Sequence, residues 1–379
     1  MTIFKNGHVL INETFVKCDF SVENSIFTEI SSEITEKSNV IDLQNKKIIP
    51  GLIDIHTHGS FGVDFNNFSN LDLEKVCNYF NSQGVTSVLP TILTDTEEKT
   101  LECIEKIYEF SKKCDTILAI HLEGPFLSKD YKGAMPEHLL KEPDFELFEK
   151  YLSASKGLIK LTTVSPELKN ACEFTKKATE KGVVVSIGHS GATQEQVFEF
   201  IKNGATNATH LGNAMKQATQ HNLNVSGSVL YSDVYAEIIC DGFHINPTVI
   251  DFYFKIRSHD KMILITDSVM AGGLPNGEYK LGVNDIEVIN GDAKLKGTDV
   301  RAGSTLRAID AVKNVSKFTG IPFEKCVKFM TVNPAKSLGC FDKKGAIEVS
   351  KDADFVVLSK NLDIEQTYSR GNLVYQNKF

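Results

Sequence analysis

No stretch of this 379-residue chain is apolar over the length needed to span a bilayer, and its opening, MTIFKNGHVLINETF, lacks the basic-then-apolar order of a secretory leader. The eight cysteines (Cys18, Cys77, Cys103, Cys114, Cys172, Cys240, Cys326 and Cys340) include no C-x-x-C pair. That argues against a cysteine-held metal or a disulfide framework and fits reduced thiols packed inside a cytosolic protein. Lys and Arg form no cluster, and a formal charge of -8 with a pI near 5.7 argues against a nucleic-acid partner. Internal repeats and low-complexity linkers are missing too. What is present is an ordinary charged fraction of 24% and 41% hydrophobic residues, enough for a sizeable core. The expectation is a cytoplasmic protein without membrane contact, with one large domain and an accessory.

Short apolar runs rich in Ile, Val and Leu recur along the middle of the chain and read as buried parallel strands. They predict strands over 52–56, 86–91, 117–122, 158–164, 183–188, 206–210, 236–240 and 262–266. Between most of them lie segments such as TEEKTLECIEKIYEFSKK and TQEQVFEFIKNG, whose apolar residues recur at helical spacing. Eight strand–helix units in succession predict a (β/α)8 TIM-type barrel over residues 50–341; an open doubly wound sheet would alternate in the same way but gathers strand ends less readily. Residues 1–49 and 342–379 instead carry short alternating runs with turn residues between them, predicting one small β-sandwich domain assembled from both termini. The segment GEYKLGVNDIEVINGDAKLKG, after the eighth strand, predicts a hairpin near the barrel mouth.

Several of the predicted strands end in a residue able to bind a metal, at the face where barrels build their sites. His56 and His58 in GLIDIHTHG share one side of an extended chain, because side chains alternate with period two, so both can reach one ion. Glu123 closes ILAIHLEGP, where a carboxylate in an apolar strand exit is costly to bury without a cation or donors. His189 follows VVVSIG, and His210 lies in ATNATHLGNAM. Each is individually an ordinary satisfied polar residue; together, four histidines and a glutamate form an N/O ligand set suited to zinc foremost, or to iron, manganese or cobalt, with one or two ions per chain. Asp267 in MILITDS would face the same opening. Its alternatives are to cap a turn or to take a proton from water that the ion activates and pass it to a leaving nitrogen. His244 in DGFHINP can donate to a carbonyl oxygen. His121 reads as packed or hydrogen-bonded, and His8, His138 and His259 as surface or structural.

These motifs carry a resemblance. PGLIDIHTHG, HLEGPFLSKDYKGA, GHSGAT, THLGNAM, DGFH and TDSVMAGG run in the order seen in N-acetylglucosamine-6-phosphate deacetylases of the amidohydrolase superfamily, and NPAKSLG with GAIEVSKDADFVVL is similar to that family's return into its β domain. The resemblance implies hydrolysis of the N-acetyl group of an amino-sugar phosphate to acetate and the amine, in a homodimer. It implies that Glu123, His189 and His210 hold the main metal and that His56 and His58 supply a second site. His244 would polarise the acetyl carbonyl and Asp267 would be base and acid. Asn213 and Ala214 would seat the sugar phosphate, with Ala134, Met135 and His221 at positions the family also directs at the substrate.

Two of those positions depart from the family pattern. Met135 stands where His or Gln is usual after K-G-A, and it cannot donate to a phosphate. His221 stands where the family has an arginine that reaches the phosphate in a neighbouring subunit, and it offers a weaker, pH-dependent contact. The loop Arg301-Ala302-Gly303 is the candidate compensating element. Other readings are an N-acetyl amino sugar of galactosamine configuration or without phosphate, a cyclic amide or nucleobase amine, and a non-catalytic scaffold. A carboxylated lysine bridging two metals would favour the cyclic amide, but Lys160 lies mid-strand and Glu123 supplies the carboxylate. A scaffold should have lost ligands, and none is missing.

Overall fold

The structure, a computed structural model, describes residues 1–36 and 39–377. Eight parallel strands follow one another around a ring: Leu52–Thr57, Val85–Leu93, Ile120–Glu123, Ile159–Val164, Val184–Ile187, Asn207–Ala208, Tyr235–Ile239 and Met262–Ile265. Neighbours in sequence are neighbours in the sheet, and all pair in parallel. The ring closes between the eighth and first strands, where the Asp267 N–H donates to the His56 carbonyl (2.9 Å) and the His58 N–H to the Ser268 carbonyl (2.8 Å). Each strand is followed by a helix, from Asn70–Ser82 after the first to Ala308–Thr319 after the eighth. This is the predicted (β/α)8 barrel.

Local chemistry sets where the helices start. Ser69 and Asp72 form a reciprocal capping box at the helix Asn70–Ser82, and Thr193 with Gln196 does the same at Gln194–Lys202. Apolar faces such as Leu73, Val76, Cys77 and Phe80 then pack onto the barrel wall.

The sixth strand is shorter than the predicted 206–210, because His210 turns into the left-handed region (φ 32°) and leaves the extended path. The segment after the eighth strand forms a three-stranded sheet (Gly277–Leu281, Asn284–Ile289, Asp292–Leu295), one strand more than a hairpin. It leans on the barrel mouth through a core of Leu281, Ile286 and Val288 with Leu93, Met135 and Val269.

The chain ends meet in one eight-stranded sheet. Lys47–Pro50 lies between Thr2–Ile11, to which it is parallel, and Phe355–Leu358, to which it is antiparallel. A separate core fills it, with Phe4, Phe20, Phe27, Phe355 and Tyr368 in mutual ring contact.

Candidate metal centre and substrate pocket

At the carboxyl ends of the strands, six side chains converge: His56 from the end of the first and His58 just beyond it, Glu123 from the third, His189 after the fifth, His210 after the sixth and Asp267 after the eighth. They fall into two groups, Glu123–His189–His210 and His56–His58–Asp267, and all six residues are buried. Glu123 Oε1 lies 3.0 Å from His210 Nε2, 3.1 Å from His189 Nε2 and 3.5 Å from His56 Nε2, while Oε2 lies 3.1 Å from His58 Nε2. Asp267 Oδ1 is 3.2 Å from His58 Nε2 and 3.6 Å from His56 Nε2. Three of these side chains are aimed by unusual backbone: His189, His210 and Asp267 all have left-handed φ (49°, 32° and 48°), a conformation that costs a non-glycine residue about 1–3 kcal/mol and persists only where the surroundings enforce it.

The tautomers show that this cluster fits a cation. His58 Nδ1 is 3.2 Å from the Thr91 carbonyl and His189 Nδ1 is 2.9 Å from the Tyr131 carbonyl. A carbonyl only accepts, so each Nδ1 carries the proton and, in the neutral ring, Nε2 presents a lone pair to the centre. His56 Nδ1 is held by Glu237 Oε2 at 3.0 Å. Yet Nε2 of His56 lies 3.4 Å from Nε2 of His58, and Nε2 of His189 lies 3.2 Å from Nε2 of His210. Lone pairs facing each other at that distance, beside two carboxylates, require positive charge between them.

The electrostatics agree. Burial opposes the charged form of His56, but Glu123, Glu237 and Asp267 outweigh it and push its pKa well up; burial opposes charge on His58 too, and Asp267 with Glu123 raise it to about 9. Burial would neutralise Glu123 and Asp267, but the histidines around them hold both below their usual range. Carboxylates that hold protons on these rings hold a divalent ion in their place. His121, one layer below, is kept neutral by burial and joins a hydroxyl chain through Thr163 (2.8 Å), Thr209 and Ser186.

Above the cluster opens a cavity of about 360 Å³. Its floor includes His58, Glu123, His189, His210 and Asp267; its walls include Tyr131, Ala134, Met135, Asn213, Ala214, His244 and the loop Arg301-Ala302-Gly303. His244 Nδ1 is 2.7 Å from Asp241 Oδ2, and Asp241 Oδ1 accepts the N–H groups of Phe243 and His244. Burial would raise the Asp241 pKa, but its bonds to His244 and Phe243 keep it low. Met135 is buried against Val269 and Ala302. Arg301 reaches the cavity but is clasped by Asp292, Nε to Oδ1 at 2.9 Å and NH2 to Oδ2 at 3.1 Å. His221 is not brought to this cavity; it is exposed on the loop before the helix Asn224–Tyr231.

Sequence reasoning passed over Glu237, Asp54 and Asp241. Glu237 is wholly buried in mid-strand and orients His56. Asp54, two residues before His56, accepts from the Thr266 hydroxyl (2.6 Å) and ties the first strand to the eighth. The argument that singled out Glu123, a carboxylate inside an apolar strand, applies equally to YAEII and GLIDI.

Comparison with known proteins places this geometry in a family. The model of the amidohydrolase family matches residues 48–374. The N-acetylglucosamine-6-phosphate deacetylase of Bacillus subtilis is 32% identical over 383 residues, covering 99% of this chain and 94% of that protein; that of Lysinibacillus sphaericus is 35% identical over 338 residues, covering 87% and 86%. The crystal structure of the Pasteurella multocida N-acetylglucosamine-6-phosphate deacetylase superimposes with a TM-score of 0.93 at 28% identity, covering 99% of this chain and all of that one. With its ligand residues converging at the mouth of a closed barrel, this chain belongs to the amidohydrolase family, among the N-acetylglucosamine-6-phosphate deacetylases.

Proposed function

We propose that this chain hydrolyses the N-acetyl group of N-acetylglucosamine 6-phosphate, giving glucosamine 6-phosphate and acetate. The observation that carries the reading is the convergence of four histidines, Glu123 and Asp267 beneath a cavity large enough for one sugar phosphate. Glu123, His189 and His210 would hold the principal ion, and His56 and His58, beside Asp267, a second. Zinc suits this N/O donor set best, with iron, manganese or cobalt as substitutes. A divalent ion here supplies Lewis acidity, polarising the acetyl carbonyl and making water a better acid.

The remaining roles belong to the chain. Asp267, a carboxylate despite its burial, takes a proton from the attacking water and delivers it to the sugar nitrogen as the C–N bond breaks. His244, fixed by Asp241 through Nδ1, turns its other edge to the cavity and supports the acetyl oxygen. Asn213, Ala214, Ala134, Met135, Ala302 and Gly303 shape the sugar pocket, and Arg301 meets the phosphate. His221 would act on the cavity of a second subunit, since it is remote from its own. Homodimer formation is supported by an exposed apolar stripe, Val249, Phe252 and Ile256 on the helix Pro247–Ile256, with Tyr231 nearby in sequence on the preceding helix. No helix among the described residues is long and apolar enough to cross a membrane, and we place the protein in the cytoplasm. Two separate hydrophobic cores support a division into 50–341 and a terminal domain of 1–49 with 342–379.

A second reading has specific support: Met135 offers no hydrogen bond to an anion, and Arg301 is already engaged by Asp292. Both favour an unphosphorylated N-acetyl amino sugar. The test is acetate release from N-acetylglucosamine with and without the 6-phosphate, alongside elemental analysis of the purified protein. Absence of metal in an active preparation would overturn the metal reading, and equal kcat/KM for the two sugars would move the substrate to the unphosphorylated class.

A further inference from the structure

Far from the cavity, two cysteines share one recess. Cys77 sits on the buried face of the helix Asn70–Ser82, and Cys114 lies, half-buried, on the segment that leads into the third barrel strand. Both line one surface recess with Lys113, Asp115, Asn81 and Ser369, and each thiol is the other's main titration partner. The pairing is held from outside the sulfurs. One turn beyond Cys77, Asn81 Oδ1 accepts from the Thr116 hydroxyl at 3.2 Å, and the Asn81 carbonyl accepts from Thr367 of the terminal sheet at 2.7 Å. The helix that carries Cys77 is thus tied to the segment that carries Cys114, and of the two thiols Cys114 is the one solvent reaches.

We propose that Cys77 and Cys114 form a thiol-modification site that reacts with low-molecular-weight disulfides and closes to an intramolecular disulfide. The Cys114 thiolate attacks one sulfur of the small disulfide, giving a mixed disulfide and releasing one small thiolate. Cys77 then gives up its proton and attacks the Cys114 sulfur, forming the Cys77–Cys114 bond and expelling the second small thiol. Two protein thiols lose two electrons, and one small disulfide gains them. The direction of attack follows from the asymmetry of the pair. The neighbouring Cys77 thiol draws the Cys114 pKa down to about 7, whereas Cys114 and burial push Cys77 well up. Burial takes Cys103 and Cys326 up to about 12, which leaves them inert.

The experiment treats the reduced full-length protein with oxidised glutathione, then maps disulfides by mass spectrometry after blocking free thiols. The expected product is a Cys77–Cys114 bond with the other six cysteines free. Before oxidation, iodoacetamide should label Cys114 fastest at neutral pH, and Cys77→Ala should slow that labelling by roughly tenfold, as a free thiol regains an ordinary pKa. Cys77→Ala should also leave the glutathione adduct stranded on Cys114, and Cys114→Ser should abolish reaction at both positions. If Cys77→Ala fails to fold, the wild-type labelling order and disulfide map decide alone. Labelling of Cys114 no faster than of Cys172 or Cys340, or a glutathione adduct that persists at Cys114 in the wild type, overturns the proposal.

Discussion

Replacing Gly303 with alanine should cripple turnover while leaving every metal ligand and the proton-transfer group Asp267 in the sequence. Gly303 has φ 63°, and a Cβ there would stand 2.3 Å from Val269 Cγ1, 2.8 Å from the Asp267 carbonyl oxygen and 3.7 Å from Asp267 Oδ1. Val269 is wholly buried against Met135 and Ala302 and has nowhere to swing, so the backbone must yield. That backbone is the link that seats Asp267, whose carbonyl accepts the Ser304 N–H at 2.7 Å. A left-handed non-glycine residue costs about 1–2 kcal/mol and overpacking about 1–3, so destabilisation of roughly 2–5 kcal/mol is expected. A shift of about 1 Å in a catalytic group costs on the order of 100-fold in rate. Urea unfolding, steady-state kinetics and metal content on one preparation separate these effects. The expected pattern is a lower unfolding midpoint, a strongly reduced kcat and retained metal at Glu123–His189–His210. Wild-type kcat together with a wild-type unfolding midpoint would refute the argument that this loop positions Asp267.

Asp267→Asn should lower kcat by about 10² to 10⁴ with the principal metal retained, checked by kinetics and elemental analysis. Glu123→Gln should empty the principal site, since a neutral amide replaces the carboxylate on which four imidazole nitrogens converge. Arg301→Ala should lower kcat/KM for the phosphorylated sugar by about tenfold or more and leave the unphosphorylated one little changed, because a charged hydrogen bond is worth roughly 1.5–3 kcal/mol. Burial raises the Asp54 pKa to about 6 despite its bonds to Thr266. A raised folded pKa means the folded state holds the extra proton, so this contribution is present below the unfolded pKa near 3.8 and lost as pH rises through about 6. Unfolding free energies measured across that window should show this slope in the wild type and not in Asp54→Asn.

The barrel was legible because most of its strands are buried on both faces and so read as largely apolar runs, which set them apart from the alternating runs of residues 1–49. The ligands were legible for a related reason: Glu123 and the histidines are polar residues at the ends of such runs. What escaped was what depends on the pairing of distant strands. Glu237 is marked in its own strand only as an isolated charge, and its meaning comes from His56, 181 residues away in the chain. The extra strand of the 277–295 sheet was missed because Asn284–Ile289 serves both as the return of one hairpin and the start of the next. The left-handed backbone at His189, His210 and Asp267 leaves no compositional trace, since those residues are chosen for their side chains and the strain is absorbed by the barrel around them.

The strand Lys47–Pro50 pairs on one side with Thr2–Ile11, available early, and on the other with Phe355–Leu358. On a ribosome adding roughly 5–20 residues per second, some 300 residues separate the two partners, so that edge waits on the order of 15 to 60 seconds for its complement. During that interval the whole barrel can be made, while an open edge bearing Ile48 and Ile49 stays exposed to other chains. Completion of the terminal sheet is therefore a late event in biosynthesis, and crowding between nascent chains should penalise this protein most in that window.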